Sequence, residues 1–243
     1  HWPRSLANNL FCRLPQPCSL LLPFLQRRKH NVCHRIAVQK DTAVHVSLDA
    51  IHFPWVKQGV SGSSYGYEGV AQAVYSPREE WSLQARYRIK SKQKDFTYDR
   101  NDGKFTVLEY NTNQNLKLQL NCKLSPSVSL RASAMGTMVT FGSNPNEYGF
   151  AAGGNIRWQS LKSQCRIDVG FTYFDTDSYN ARVYNYEPTL LYSFGSTSYY
   201  YKGIRTTLLA NIPIIKNQLF LNAKLGMTKY LNRDTIGSGL HMI

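Results

Sequence analysis

Strict alternation of apolar and polar residues over long runs is the feature that most constrains how this chain can fold. From Trp81 to Lys90 every odd position is apolar and every even position is polar or charged. Leu116, Leu118, Leu120, Cys122 and Leu124 repeat the pattern opposite Lys117, Gln119, Asn121 and Lys123. Successive strand side chains point to opposite faces, so this period belongs to a sheet wetted differently on its two sides. The same period predicts strands near 43–53, 67–76, 81–90, 116–124, 127–141, 148–159, 164–174, 183–194, 201–212 and 218–230, and no helix. Many reach ten or more residues, beyond the roughly five or six of a globular sheet and close to the roughly nine to eleven that cross a bilayer at a tilt.

The connections carry a second signal. Tight turns at Ser76-Pro77-Arg78, Ser125-Pro126-Ser127 and Leu161-Lys162-Ser163 alternate with longer polar loops expected at about 91–109 and 142–147. Short turns on one side and long loops on the other are the habit of outer-membrane barrels. The expected fold is therefore all-β: an antiparallel up-and-down meander of about ten long strands, part of an outer-membrane-type barrel and unclosed in this chain. Parity fails at one place. Three apparent strands lie between the turn at Leu161 and the turn near Lys216, where two or four are required, so one element around 175–203 is misassigned. Aromatic residues near expected strand ends (Tyr75, Trp81, Phe141, Tyr148, Tyr173, Phe174, Tyr192, Phe194 and Tyr230) suit interfacial girdles, and they suit strands in general.

No stretch approaches the roughly 18 to 20 apolar residues of a membrane helix. The longest candidate, Leu20 to Leu25, is short and broken by Pro23. A formal charge of +14 invites phosphate binding. Its distribution weakens that reading. Residues 1–40 carry seven basic side chains and no acid, which leaves 22 basic against 15 acidic groups, or +7, in the rest. The first 42 residues also hold Cys12, Cys18 and Cys33 and lack a sustained period, so they read as a separate, poorly patterned segment ahead of a partial barrel domain at 43–243. The five cysteines match neither a zinc site nor a disulfide framework, and Cys122 continues an apolar face.

Phe53-Pro54-Trp55, Tyr65-Gly66-Tyr67-Glu68, Ala85-Arg86-Tyr87-Arg88, the stretch from Phe174 to Glu187, Tyr201-Lys202-Gly203 and Arg233 to Gly239 occur in an order and spacing that carry a resemblance. Residues 43–243 resemble the C-terminal β-barrel region of Bacteroidota helix-hairpin-helix domain-containing outer-membrane proteins. The residues matching its loop phrases are Asp175, Asp177, Arg182, Glu187, Lys202, Gly203, Arg233, Asp234, Gly237 and Gly239. The resemblance implies the bacterial outer membrane as location, its lipid and other envelope proteins as partners, and DNA only through helix-hairpin-helix domains that this chain does not show. It also implies an interior piece of a larger barrel, because a closing strand with a terminal aromatic is expected beyond Ile243.

Chemistry-bearing patterns are sparse. Asp175, Asp177 and Glu187 could suit Ca²⁺, but they lack the glycine and later glutamate of a calcium loop, and Asp-Thr-Asp-Ser is ordinary turn chemistry. His45 and His52 fall on opposite strand faces. Signatures of a serine nucleophile, zinc protease or phosphate loop are absent, and Ser238 has no identifiable base. The expectation is no enzyme, no metal and no cofactor. The polar strand face is richer, with Arg86, Arg88, Lys90, Lys117, Lys123, Arg131, Arg157 and Arg166 as candidate lumen-lining cations. Such cations favour anions or pair internally to hold a plugged barrel shut. The leading expectation is a non-enzymatic pore, scaffold or anchor. The alternatives are a soluble lipocalin-like barrel binding an apolar ligand and the membrane anchor of a DNA-binding, competence-like envelope protein.

Overall fold

A computed structural model describes residues 28–39, 41–100, 103–190, 193, 196–215 and 219–232. Twelve strands follow in order: β1 (Arg28–Gln39), β2 (Thr42–Phe53), β3 (Ser64–Arg78), β4 (Trp81–Arg100), β5 (Gly103–Ser125), β6 (Val128–Phe141), β7 (Glu147–Gln159), β8 (Arg166–Thr176), β9 (Val183–Tyr186), β10 (Ser196–Tyr199), β11 (Lys202–Ile215) and β12 (Leu219–Tyr230). Ten form one antiparallel meander, β1-β2-β3-β4-β5-β6-β7-β8-β11-β12, while β9 and β10 pair as a separate hairpin. The protein is all-β, as the alternation predicts, and no helix occurs among the described residues. Nor does any ladder among them join β12 to β1, so the sheet is open.

The parity failure has a clear cause. The expected strand at 183–194 is in fact only β9, four residues long, in a hairpin inserted between β8 and β11. With that element removed from the meander, β8 pairs directly with β11 through Asp175↔Lys202 and Phe174↔Gly203. The expected loop at 91–109 is also corrected. Strands β4 and β5 continue as one long hairpin, with the ladder kept as far as Arg100↔Gly103. A further difference lies in the segment ahead of residue 43, where Arg28–Gln39 forms a strand paired with β2; residues 1–27 lie outside the described residues.

The two-residue turns between β3 and β4 and between β5 and β6 lie at one end of the sheet, together with the six-residue link from β7 to β8 and the connections β1–β2 and β11–β12. The other end carries the ten-residue β2–β3 loop, the far end of the long β4–β5 hairpin, the five-residue β6–β7 link and the insert. Pro213 is tolerated because it sits beside the register shift between Pro213 and Ile215, near the short-turn end.

Register fixes which side chains share a face. Trp81, Cys122, Leu130, Ile156, Val169, Leu208 and Leu225 lie side by side across β4, β5, β6, β7, β8, β11 and β12. One step along each strand, Asn121, Arg131, Asn155, Gly170, Thr207 and Gly226 form a row on the opposite face. Burial is inverted relative to a soluble sandwich. Val169 is 47% exposed and Leu225 69%, whereas Asp168 is 1% exposed and Thr207 7%. The apolar face is bare and the polar face is covered.

The cover is the β9–β10 insert. Val183 and Tyr199 pack with Met135, Ala151 and Phe174 in a small buried cluster, against which Tyr230 rests. The Phe174 ring lies tilted at 5.1 Å from that of Tyr199 and edge-on at 5.8 Å from that of Tyr230. Of the aromatics expected at girdle positions, Phe174, Tyr230 and Phe141 thus point to the polar side, where Phe141 meets Phe96, while Tyr75, Trp81, Tyr148 and Tyr173 follow the apolar face. Tyr192 and Phe194 lie outside the described residues.

Candidate functional site

All eight predicted cations fall on the face that carries the insert, because each sits one residue out of phase with the exposed apolar rows, although Arg86, Lys123 and Arg131 remain exposed there. The structure sorts them into groups by their partners. Arg88 donates to Glu68 at 2.8 Å, and Lys90 lies 3.9 Å from the same carboxylate. Glu68 stands directly opposite Lys90 in the β3–β4 ladder.

A second group surrounds Asp168, whose side chain has no exposed surface. Arg157, its cross-strand neighbour, donates to it at 2.6 Å. Arg166 Nε lies 3.0 Å from Oδ2, within ion-pair range but angled so that neither atom makes a hydrogen bond. The Arg157 contact is therefore the stronger of the two. Removing either guanidinium from beside this buried carboxylate would leave charge less fully paired away from water, which is costly.

The third group locks the insert. Glu187, 4% exposed, follows β9 and reaches the sheet. Both of its oxygens accept from Arg205 on β11, the Nη2 contact being 3.1 Å, and Lys224 on β12 lies at 3.3 Å. Tyr199 on β10 donates its hydroxyl to the same carboxylate. Burial pushes the Glu187 pKa up, but the hydrogen bonds from Arg205 and Tyr199 and the charges of Arg205 and Lys224 outweigh it, so the net shift is downward. Burial and the adjacent Glu187 push the Tyr199 hydroxyl well above the usual phenol range, so it stays a donor. One carboxylate thus ties β9, β10, β11 and β12 together.

The remaining cations have other surroundings. Arg131 donates to Asn121 Oδ1 at 3.0 Å and lies 5.9 Å from the ring centre of Tyr186 on the insert. Arg86 is directly opposite Lys117, and Lys123 is exposed near the short-turn end. Arg182 donates from Nη1 to the Tyr179 carbonyl and from Nε to the Tyr184 hydroxyl.

The other residues expected in loops are placed differently from one another. Asp175 is the penultimate residue of β8 and pairs with Lys202 at 3.0 Å, while Lys202 and Gly203 begin β11, so these three belong to strands. A Cβ on Gly203 would come within 2.6 Å of the Lys229 carbonyl and 2.7 Å of the Phe174 ring, which explains the glycine. Asp177 accepts the Tyr148 amide at 2.8 Å. Asp175, Asp177 and Glu187 therefore go to separate partners, and no group of three potential metal-binding His, Cys, Asp or Glu side chains exists among the described residues. Arg233, Asp234, Gly237 and Gly239 lie outside the described residues, as does Ser238. His52 stacks on Tyr65 at 4.5 Å on the apolar side, and Cys122 and Cys165 are free thiols.

Sequence reading missed Tyr199 and the role of Glu68. Glu68 becomes legible only when the β3–β4 turn fixes its register against Lys90; nothing in sequence marks Tyr199, because its partner is reached through tertiary folding of the insert. No protein-family model matches the chain, and no curated protein matches it.

Proposed function

We propose that this chain is a non-enzymatic part of an outer-membrane-type β-barrel, serving as a scaffold, anchor or plugged pore in the bacterial outer membrane. The observation that carries this reading is the inversion of burial: contiguous exposed rows of Leu, Ile, Val, Trp and Tyr on one face, and charged residues covered by an inserted hairpin on the other. In water such a face would far exceed the few hundred Å² of apolar patch that a monomer usually exposes, whereas in lipid it is the expected outer surface.

The dimensions agree. On the apolar face, Tyr67 and Tyr75 flank β3, and Phe150 and Trp158 flank β7. Eight residues separate each pair, or about 27 Å at ~3.4 Å per residue, and about 20 Å in height at the usual strand tilt. The ten-residue step from Tyr148 to Trp158 gives about 26 Å by the same reckoning, bracketing the ~25 Å apolar band of known barrels. The occupied interior and the paired cations favour a scaffold or anchor over free conduction. Resemblance to helix-hairpin-helix outer-membrane proteins supports envelope partners, with DNA contact left to domains outside these residues.

Refolding tests the proposal. The denatured chain should regain β-structure in zwitterionic detergent micelles or lipid vesicles, precipitate in buffer alone, and migrate differently on a gel before and after boiling. A monodisperse monomer in buffer, with the same far-UV spectrum and no change on boiling, would instead support the soluble ligand-binding barrel and refute this reading.

A further inference from the structure

We infer that the cleft between β4–β6 and the inserted hairpin binds a small anionic solute carrying phosphate or carboxylate groups. This goes beyond anchoring. It depends on the covered face and the insert, whatever surrounds the apolar face.

The cleft has a volume of about 430 Å³ and is lined by Arg86, Arg88, Lys90 and Lys117 from the sheet and Arg182 from the insert. Register places Arg86 directly opposite Lys117. Cross-strand partners have Cβ atoms about 5 Å apart, and like charges so placed are destabilising. Arg86 and Arg88 are spaced two along β4, so all three cations share one small area of the same face.

Two other groups of cations on this face are balanced from within, while Arg131 meets Asn121 and the Tyr186 ring and Lys123 is exposed. Asp168 serves Arg157 and Arg166, and Glu187 serves Arg205 and Lys224. In the cleft the available carboxylate is Glu68, and it is occupied by Arg88 and Lys90. Among the described residues, none of Arg86, Lys117 and Arg182 has a carboxylate within ion-pair distance. A half-enclosed site strengthens both their repulsion and their attraction for a counter-charge. Among the described residues no further carboxylate reaches Arg86, Lys117 or Arg182, so a diffusible anion is the partner these cations suit. Guanidinium forks match the planar or tetrahedral oxygens of carboxylate and phosphate, and Asn113, which accepts from the Asn115 amide, lies on the same wall.

Calorimetric titration of the full chain, refolded in zwitterionic detergent, tests the site with tripolyphosphate in one arm and citrate in the other. Saturable one-to-one binding is expected in at least one arm, weakening as salt rises, and the stronger arm identifies the oxygen chemistry. Arg86→Gln and Lys117→Gln should each weaken it about tenfold or more, while Lys123→Gln, outside the cleft, should leave it unchanged. Without ligand, Arg86→Gln should match or exceed the parent in urea stability, since it relieves like-charge repulsion; this separates lost binding from lost folding. Absence of saturable heat with both anions up to about 10 mM, or an equal loss in Lys123→Gln, overturns the inference.

Discussion

Replacing Glu187 with glutamine keeps its shape and removes the charge that fastens the insert to the sheet. The carboxylate is 5% exposed, and its cationic partners Arg205 and Lys224 are 20% and 19% exposed. Breaking a buried ion pair from one side costs about 3–5 kcal/mol. An amide oxygen can still accept from Arg205 and the cations keep some water, so the expected cost falls to about 2–3 kcal/mol. Arg205 and Lys224 are held by the β11–β12 ladder whatever happens to the insert. The loss therefore falls on docking, and the undocked hairpin should become about 30- to 150-fold more populated. Hydrogen exchange reads this directly: the amides of Val183–Tyr186 and Ser196–Tyr199 should lose protection by that factor while the β5–β6 ladder keeps its own. Unchanged protection in the hairpin, or a uniform loss over the whole sheet, would refute the reasoning. Acid should act in the same way. The Glu187 pKa is lowered in the folded state, so its contribution is full above the unfolded carboxyl pKa of about 4.3 and disappears as pH falls through the folded value. The parent hairpin should open below about pH 4, and Glu187→Gln should abolish that part of the pH dependence.

Other perturbations separate the parts of the design. A Cβ on Gly149 would overlap the Ala181 carbonyl, so Gly149→Ala should displace the entry to the insert and weaken docking by about 1–3 kcal/mol, seen as faster proteolysis between residues 177 and 201 with the sheet spectrum unchanged. Leu118→Arg, on the exposed apolar face, should cost about 2–4 kcal/mol in lipid vesicles if that position lies near mid-bilayer; a change within about 0.5 kcal/mol in vesicle unfolding would argue that the face meets water. Asp168→Asn should lower the urea stability of the refolded chain by about 2 kcal/mol, because Arg157 and Arg166 lose their shared countercharge while remaining partly hydrated.

The meander was legible because its signal is periodic: in β4 and β5 every second residue repeats the same choice, and Ser125-Pro126-Ser127 marks the turn that begins β6. Strand parity even flagged the region holding the insert. Its nature was hidden because Val183-Tyr184-Asn185-Tyr186 alternates like the start of a long strand, and alternation does not say which partner a strand finds. The extension from Ser91 to Arg100 failed for the opposite reason. Its residues are too polar to signal a half-buried strand, yet backbone pairing carries the ladder through them. The cationic face could be read from phase alone, while its pairing could not. Arg157 meets Asp168 and Arg205 meets Glu187 only after register and insertion bring distant residues together.

The base of the inserted hairpin is nearly closed. Thr176 donates its amide to the Tyr201 carbonyl at 2.9 Å, immediately beside the Asp175↔Lys202 pair, and Tyr201 adopts a φ of 65° to make the return. The chain thus leaves the sheet and re-enters it at adjacent positions, so the excursion is a module grafted onto an uninterrupted ladder. Its length and composition are free to change without disturbing the register of β8 against β11. Shortening it to a tight turn would empty the covered face while leaving the ten-stranded wall in place, allowing the interior's occupant to diverge independently of the wall.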